Sequence, residues 1–112
     1  MVYACIGLDS SGCVRSLDIS GHAGFAGAGS DPACAAVSVL AKAYALTITE
    51  ESSHRISGDV QKPGEFHFGI VALGKVEQAK AAGRVLLNGL HSVQREFPDN
   101  VSLELGNYTT GE

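Results

Sequence analysis

Val2-Tyr3-Ala4-Cys5-Ile6-Gly7-Leu8-Asp9-Ser10-Ser11-Gly12-Cys13-Val14-Arg15-Ser16-Leu17-Asp18-Ile19-Ser20 decides the fold. Side chains of an extended strand alternate between faces, so Val2, Ala4, Ile6 and Leu8 share one side. Ser10-Ser11-Gly12 is a turn sequence. Beyond it Cys13, Leu17 and Ile19 fall on one face, with Asp18 and Ser20 on the other. Strands are therefore predicted over 2–9 and 13–20. A two-residue turn at Ser11-Gly12 would set Ser10 opposite Cys13 and Cys5 opposite Asp18. A hairpin of this kind makes the sheet antiparallel at its core.

Residues 21–30 read Gly-His-Ala-Gly-Phe-Ala-Gly-Ala-Gly-Ser, with four glycines in ten positions. Such a stretch is a loop, mobile until something closes it. A helix follows. Asp31 suits its N-cap, and Pro32 its first position, where a missing N–H costs nothing. The helix is predicted to run to about Thr49. Val37, Val39, Leu40, Tyr44, Leu46 and Ile48 make it apolar almost all round, which predicts burial against a sheet. Ala33 to Ile48, interrupted by Ser38 and Lys42, reads as too short and too polar to span a bilayer.

Further on, 54–60 is a weaker strand, Gln61–Glu65 a turn and 66–73 a stronger strand with Phe66, Phe68 and Ile70 on one face. A second helix is predicted over 76–97. Its stripe is Ala79, Gly83, Leu86, Leu87, Leu90, Val93 and Phe97, and Pro98 follows its end. Residues 101–105 form a last short strand. The order is ββαββαβ, an α+β domain with a largely antiparallel sheet carrying two helices.

The chain's 112 residues suit a single domain, 1–112. Hydrophobic residues make up 45% and charged residues 18%, enough for one core without a staple. The net charge of −4 offers no basic stripe for phosphates, so direct nucleic-acid binding is not expected. A mildly acidic surface instead tolerates or weakly steers a basic protein partner. Three cysteines, an odd number, argue against a disulfide framework. With no signal-peptide pattern in Met1–Cys5, the expectation is a cytosolic protein with no membrane contact.

Chemistry concentrates in residues 21–38. With Asp31 as cap, Cys34 is the third helical residue. The positive end of a helix dipole stabilises a thiolate, which lowers the thiol pKa and supplies a nucleophile near neutral pH. A cysteine hydrolase also needs a base that holds the thiol proton and returns it to the leaving amine. His22 is the nearest candidate, because the glycine loop lets the chain fold back. Backbone N–H groups of the helix start would serve as an oxyanion hole. Ser38 lies one turn past Cys34 on the same face, and Lys42 continues that row. Each residue also has a plainer role: a buried thiol, a helix cap at Asp31, a back-bonded Ser38. Cys5 and Cys13 are read as structural thiols. His54, His67 and His91 have no partner by spacing and are read as ordinary core or surface histidines.

Other readings are weaker. A nucleotide-binding loop lacks the Gly-Lys-Ser/Thr run and the third glycine of a dinucleotide fingerprint, and Asp31 would repel phosphate. A metal site from His22, Asp31 and Cys34 lacks any paired ligand spacing. No metal and no cofactor is expected. A non-catalytic binding module on the same fold is the other reading.

Gly21-His22-Ala23-Gly24-Phe25 and Gly29-Ser30-Asp31-Pro32-Ala33-Cys34-Ala35-Ala36-Val37-Ser38 resemble the signature of the Prp family of bacterial ribosomal-processing cysteine proteases. The resemblance implies a homodimeric enzyme with a Cys/His dyad. Its implied task is removal of a short N-terminal extension from a large-subunit ribosomal protein, number twenty-seven, with aromatic residues just before the scissile bond. It puts the nucleophile on Cys34 and the base on His22. Gly21, Asp31 and Ser38 match supporting or substrate-binding positions. Pro32-Ala33 departs from the larger aliphatic residues usual in that family.

Overall fold

A computed structural model of the chain describes residues 1–21, 32–59 and 65–108. Its elements are β1 (Val2–Leu8), β2 (Val14–Ser20), α1 (Pro32–Thr49), β3 (Arg55–Asp59), β4 (Phe66–Ala72), α2 (Val76–Glu96) and β5 (Val101–Asn107). The expected α+β order is found. The strands form one sheet in the order β3-β4-β2-β1-β5. Among the described strands only β5 runs parallel to its neighbour, β1. It pairs with the whole of β1, from Val2↔Val101 to Leu8↔Asn107, so it extends past the expected 105.

The hairpin reaches its register by a different turn. Asp9 N–H donates to the Cys13 carbonyl at 3.0 Å and Gly12 N–H to the Asp9 carbonyl at 2.9 Å. The loop thus holds three residues, Ser10-Ser11-Gly12, with Gly12 at φ +89°. Ser10 is not opposite Cys13. The Asp9 carboxylate anchors the loop, accepting from Ser11 N–H, Ser11 hydroxyl and Cys13 N–H at 2.9, 2.7 and 3.0 Å. Past the turn Leu8 pairs with Val14 and Gly7 with Ser16, leaving Arg15 as an extra residue. That bulge offsets the longer loop, so Cys5 still faces Asp18 as expected.

The bulge leaves Val14 and Arg15 both buried. Arg15 is buried but satisfied. Its Nε and Nη2 donate to the carbonyls of Ile70 and Val71, each at 2.9 Å. Its Nη1 meets Asp9 at 3.3 Å, and the guanidinium lies 4.9 Å from the Tyr108 ring centre.

Both helices cover one face of the sheet. Val2, Ala4 and Ile6 of β1, Leu17 and Ile19 of β2, and Phe66, Phe68 and Ile70 of β4 form the core with them. Tyr44 fixes α1: its hydroxyl donates to the Val14 carbonyl at 3.3 Å, and its ring meets Phe68 edge-on at 5.7 Å. In α2 the buried positions are Ala79, Gly83, Leu86 and Leu90, four of the seven expected stripe residues. His54 is no isolated histidine. Gly74 N–H donates to its Nδ1 at 2.9 Å, so its Nε2–H donates to Gln78 Oε1 at 2.8 Å. Gln78 in turn donates to the Thr47 carbonyl at 2.7 Å, tying α1 to α2.

Two expectations about α1 need correction. It buries one stripe, not its whole circumference: Val39 and Leu46 are each 65% exposed. By length and composition alone it is also long and apolar enough to cross a bilayer, despite Ser38 and Lys42. In this fold its buried stripe, Ala33, Cys34, Val37, Ala41, Tyr44 and Ile48, packs into the core of a mixed sheet.

Candidate active site

The ladder places the site at one end of the sheet. Tyr3 pairs with Ser20, Ile19 with Phe66 and Val2 with Val101. β2 therefore ends where β1, β4 and β5 begin. The segments 22–31 and 60–64 both attach at this end, and α1 starts there.

Gly21 is the last described residue before His22. It has φ +90°, and a Cβ there would sit 2.7 Å from the Met1 carbonyl oxygen and 2.8 Å from Tyr3 Cδ2. Both the backbone angle and the space demand glycine. The residue immediately before the expected base is thus pinned against β1. His22 and Asp31 themselves lie outside the described residues.

Cys34 is the third residue of α1, as expected from Pro32 at the first position. It is 6% exposed and belongs to the core-facing stripe. Ser38, one turn on, is half-buried and Lys42 is exposed, so the row runs from core to solvent. Tyr44, roughly 15 Å further along the helix, holds the axis that aims Cys34. All three cysteines are reduced. Cys5 is exposed, and burial, a 3.6 Å contact to Glu104 and the nearby Asp18 all push its thiol pKa upward. Among the described residues, no three His, Cys, Asp or Glu side chains gather to hold a metal.

Spacing missed a pairing on the sheet surface as well. His67 Nδ1 lies 2.7 Å from Asp18 Oδ1, with Glu65 3.6 Å from Nε2. The hydrogen bond to Asp18 raises the His67 pKa above the ordinary 6.5. Each residue's outward position was legible from its own strand. Their pairing was not, because β2 and β4 are separated in sequence by α1 and β3.

A thiol in the first turn of a helix packed on an α+β sheet suits the class of thiol-nucleophile hydrolases. A family model described as "Cysteine protease Prp" matches residues 1–102. The chain belongs to that family and is a cysteine protease. The fold is similar to that of the ribosomal processing protease Prp from S. aureus. The TM-scores are 0.80 for its complex with a covalently linked product peptide and 0.78 for its complex with a substrate peptide. Identities are 23% and 21%, over 94% of this chain and 99% of that one in both cases. A Streptococcus mutans protein superposes with TM-score 0.78 at 20% identity, over 96% of each chain. No curated protein matches this chain in sequence.

Proposed function

We propose that the chain is the endopeptidase that removes a short N-terminal extension from a large-subunit ribosomal protein, number twenty-seven, with Cys34 as nucleophile and His22 as base. The observation that carries this reading is Cys34 in the first turn of α1, within a chain of the Prp family.

The chemistry runs in two halves. Cys34 Sγ attacks the scissile carbonyl carbon as His22 takes the thiol proton. The positive end of the α1 dipole stabilises the thiolate and then the oxyanion of the tetrahedral intermediate. The intermediate collapses, the C–N bond breaks and His22 gives its proton to the departing amine. Water, losing a proton to His22, then hydrolyses the thioester and releases Cys34. Gly21 sets the direction in which the chain leaves β2 toward His22. Asp31 acts as helix cap or His22 orienter, and Ser38 borders the cleft.

We further propose a cytosolic homodimer that needs no cofactor and binds neither nucleic acid nor membrane. The reduced cysteines favour a reducing compartment. The exposed apolar residues Val39, Leu46 and Val85 on the outer faces of α1 and α2 supply a surface that a second copy would cover.

The test is cleavage of a peptide carrying the extended ribosomal N-terminus. Cys34→Ala and His22→Ala should each abolish it, and full activity in Cys34→Ala would overturn the mechanism. At pH 6 iodoacetamide should alkylate Cys34 before Cys5 or Cys13. Equal rates would remove the activated-thiolate argument.

A further inference from the structure

The helices cover one face of the sheet, and no described element covers the other. In-register pairing sets a row of side chains straight across that open face. Glu104 of β5 lies beside Cys5 of β1, Cys5 beside Asp18 of β2, and Asp18 beside His67 of β4. All four are exposed, as is Glu65 next to His67. Two depressions of about 450 and 230 Å³ lie side by side along the row and adjoin at Ser16 and Asp18, as an interrupted furrow. Its floor is small: Gly7, Ser16, Ser57, Gly69 and Gly106. Strands lie about 4.8 Å apart, so four neighbouring strands span on the order of 15 Å, enough for several residues of extended peptide.

Among the described residues along the row, negative side chains outnumber positive ones. Asp18, Glu65 and Glu104 are carboxylates, and His67 is already engaged by two of them. The Arg15 guanidinium is spent on Asp9 and on the carbonyls of Ile70 and Val71. A second copy meeting this face is distinguished by the oligomeric state of the variants. An anionic membrane or nucleic acid would be repelled. A cationic polypeptide is the complementary occupant.

We propose that the furrow docks a Lys/Arg-rich segment of the protein substrate, remote from the scissile bond. The inference rests on the protease reading above. A protein destined for a particle built on RNA phosphates is rich in lysine and arginine. The carboxylate row would hold such a segment on the face opposite the helices while the extension reaches the end of the sheet where α1 begins.

The test uses the Asp18→Asn/Glu104→Gln double variant of the full chain, with Glu104→Lys as a second variant; both change exposed side chains. A fluorescent Lys/Arg-rich peptide and an acidic control are titrated against wild type and variants. The basic peptide should bind wild type and lose about tenfold in the double variant, as loss of two exposed ion pairs implies. Binding should also weaken as salt rises. Cleavage of a long basic substrate should show a raised KM at constant kcat, while a short neutral peptide spanning the bond is cut as before.

Equal binding to wild type and variants would overturn the proposal, and so would equal damage to short and long substrates. A dimer that dissociates in the double variant would also overturn it, because a second copy would then occupy the face. If wild type cleaves nothing yet binds the basic peptide through these carboxylates, the docking inference holds and the protease substrate reading falls.

Discussion

Gly83 of α2 lies so close to Val14 of β2 that a Cβ on it would sit 2.9 Å from Val14 Cγ2 and 3.2 Å from Val14 Cβ. Glycine in a helix interior ordinarily costs about 1 kcal/mol relative to alanine. Here that cost lets the second helix settle on the bulged strand. Gly83→Ala should therefore destabilise the protein, by about 1–2 kcal/mol net, because overpacking outweighs the propensity gain. Urea denaturation checks this. A variant more stable than wild type would show that α2 can rise off the sheet without loss.

Gly21 carries both the local backbone and the approach to His22. Gly21→Ala forces a β-carbon to 2.7 Å from the Met1 carbonyl oxygen. The strain should cost about 1–3 kcal/mol and displace the segment that follows. Peptidase activity should fall more than stability does. A variant that loses stability but keeps full kcat would show that Gly21 serves the fold alone.

Arg15→Lys keeps the charge and removes the fork. An ammonium cannot reach Asp9 and the carbonyls of Ile70 and Val71 together. The expected loss is about 2–4 kcal/mol, set by buried carbonyls left unpaired. Calorimetric Tm reads it, and a change under 1 °C would mean the carbonyls find other donors.

The Asp18–His67 pair gives stability a pH dependence. The folded His67 pKa is raised, first by the hydrogen bond to Asp18. Its contribution is therefore fully present below about 6.5 and is lost as pH rises through the folded value. Because both side chains are about half exposed, the effect is small, well under 1 kcal/mol. His67→Asn should lower stability slightly at pH 5.5 and leave it unchanged at pH 8.5. A loss that is larger at pH 8.5 would reverse the assigned sign.

Much of this was legible along the chain. Alternation in 2–9 and 13–20, Pro32 at a helix start and the apolar stripe of 76–97 each fix an element within a few residues, because local periodicity follows from which face is buried. The placement of Cys34 in a first turn was likewise local. The hairpin turn was misjudged: a three-residue loop and a bulge at Arg15 replace the two-residue turn, and only Asp9's three hydrogen bonds select that loop. The outer face of α1 was misjudged as well, since its apolar residues announce burial without saying which side receives it.

The sequence by itself determined the elements, their order, the helix start beneath Cys34 and the family signature, all set by neighbours within a few residues. Tertiary structure alone decided the rest: β5 parallel to β1, Arg15 buried against Tyr108, Gly83 against Val14, and the Glu104–Cys5–Asp18–His67 row across the open face. These join residues far apart in the chain. Their contact depends on strand order and register, which shape and burial choose across the whole core and no local pattern records.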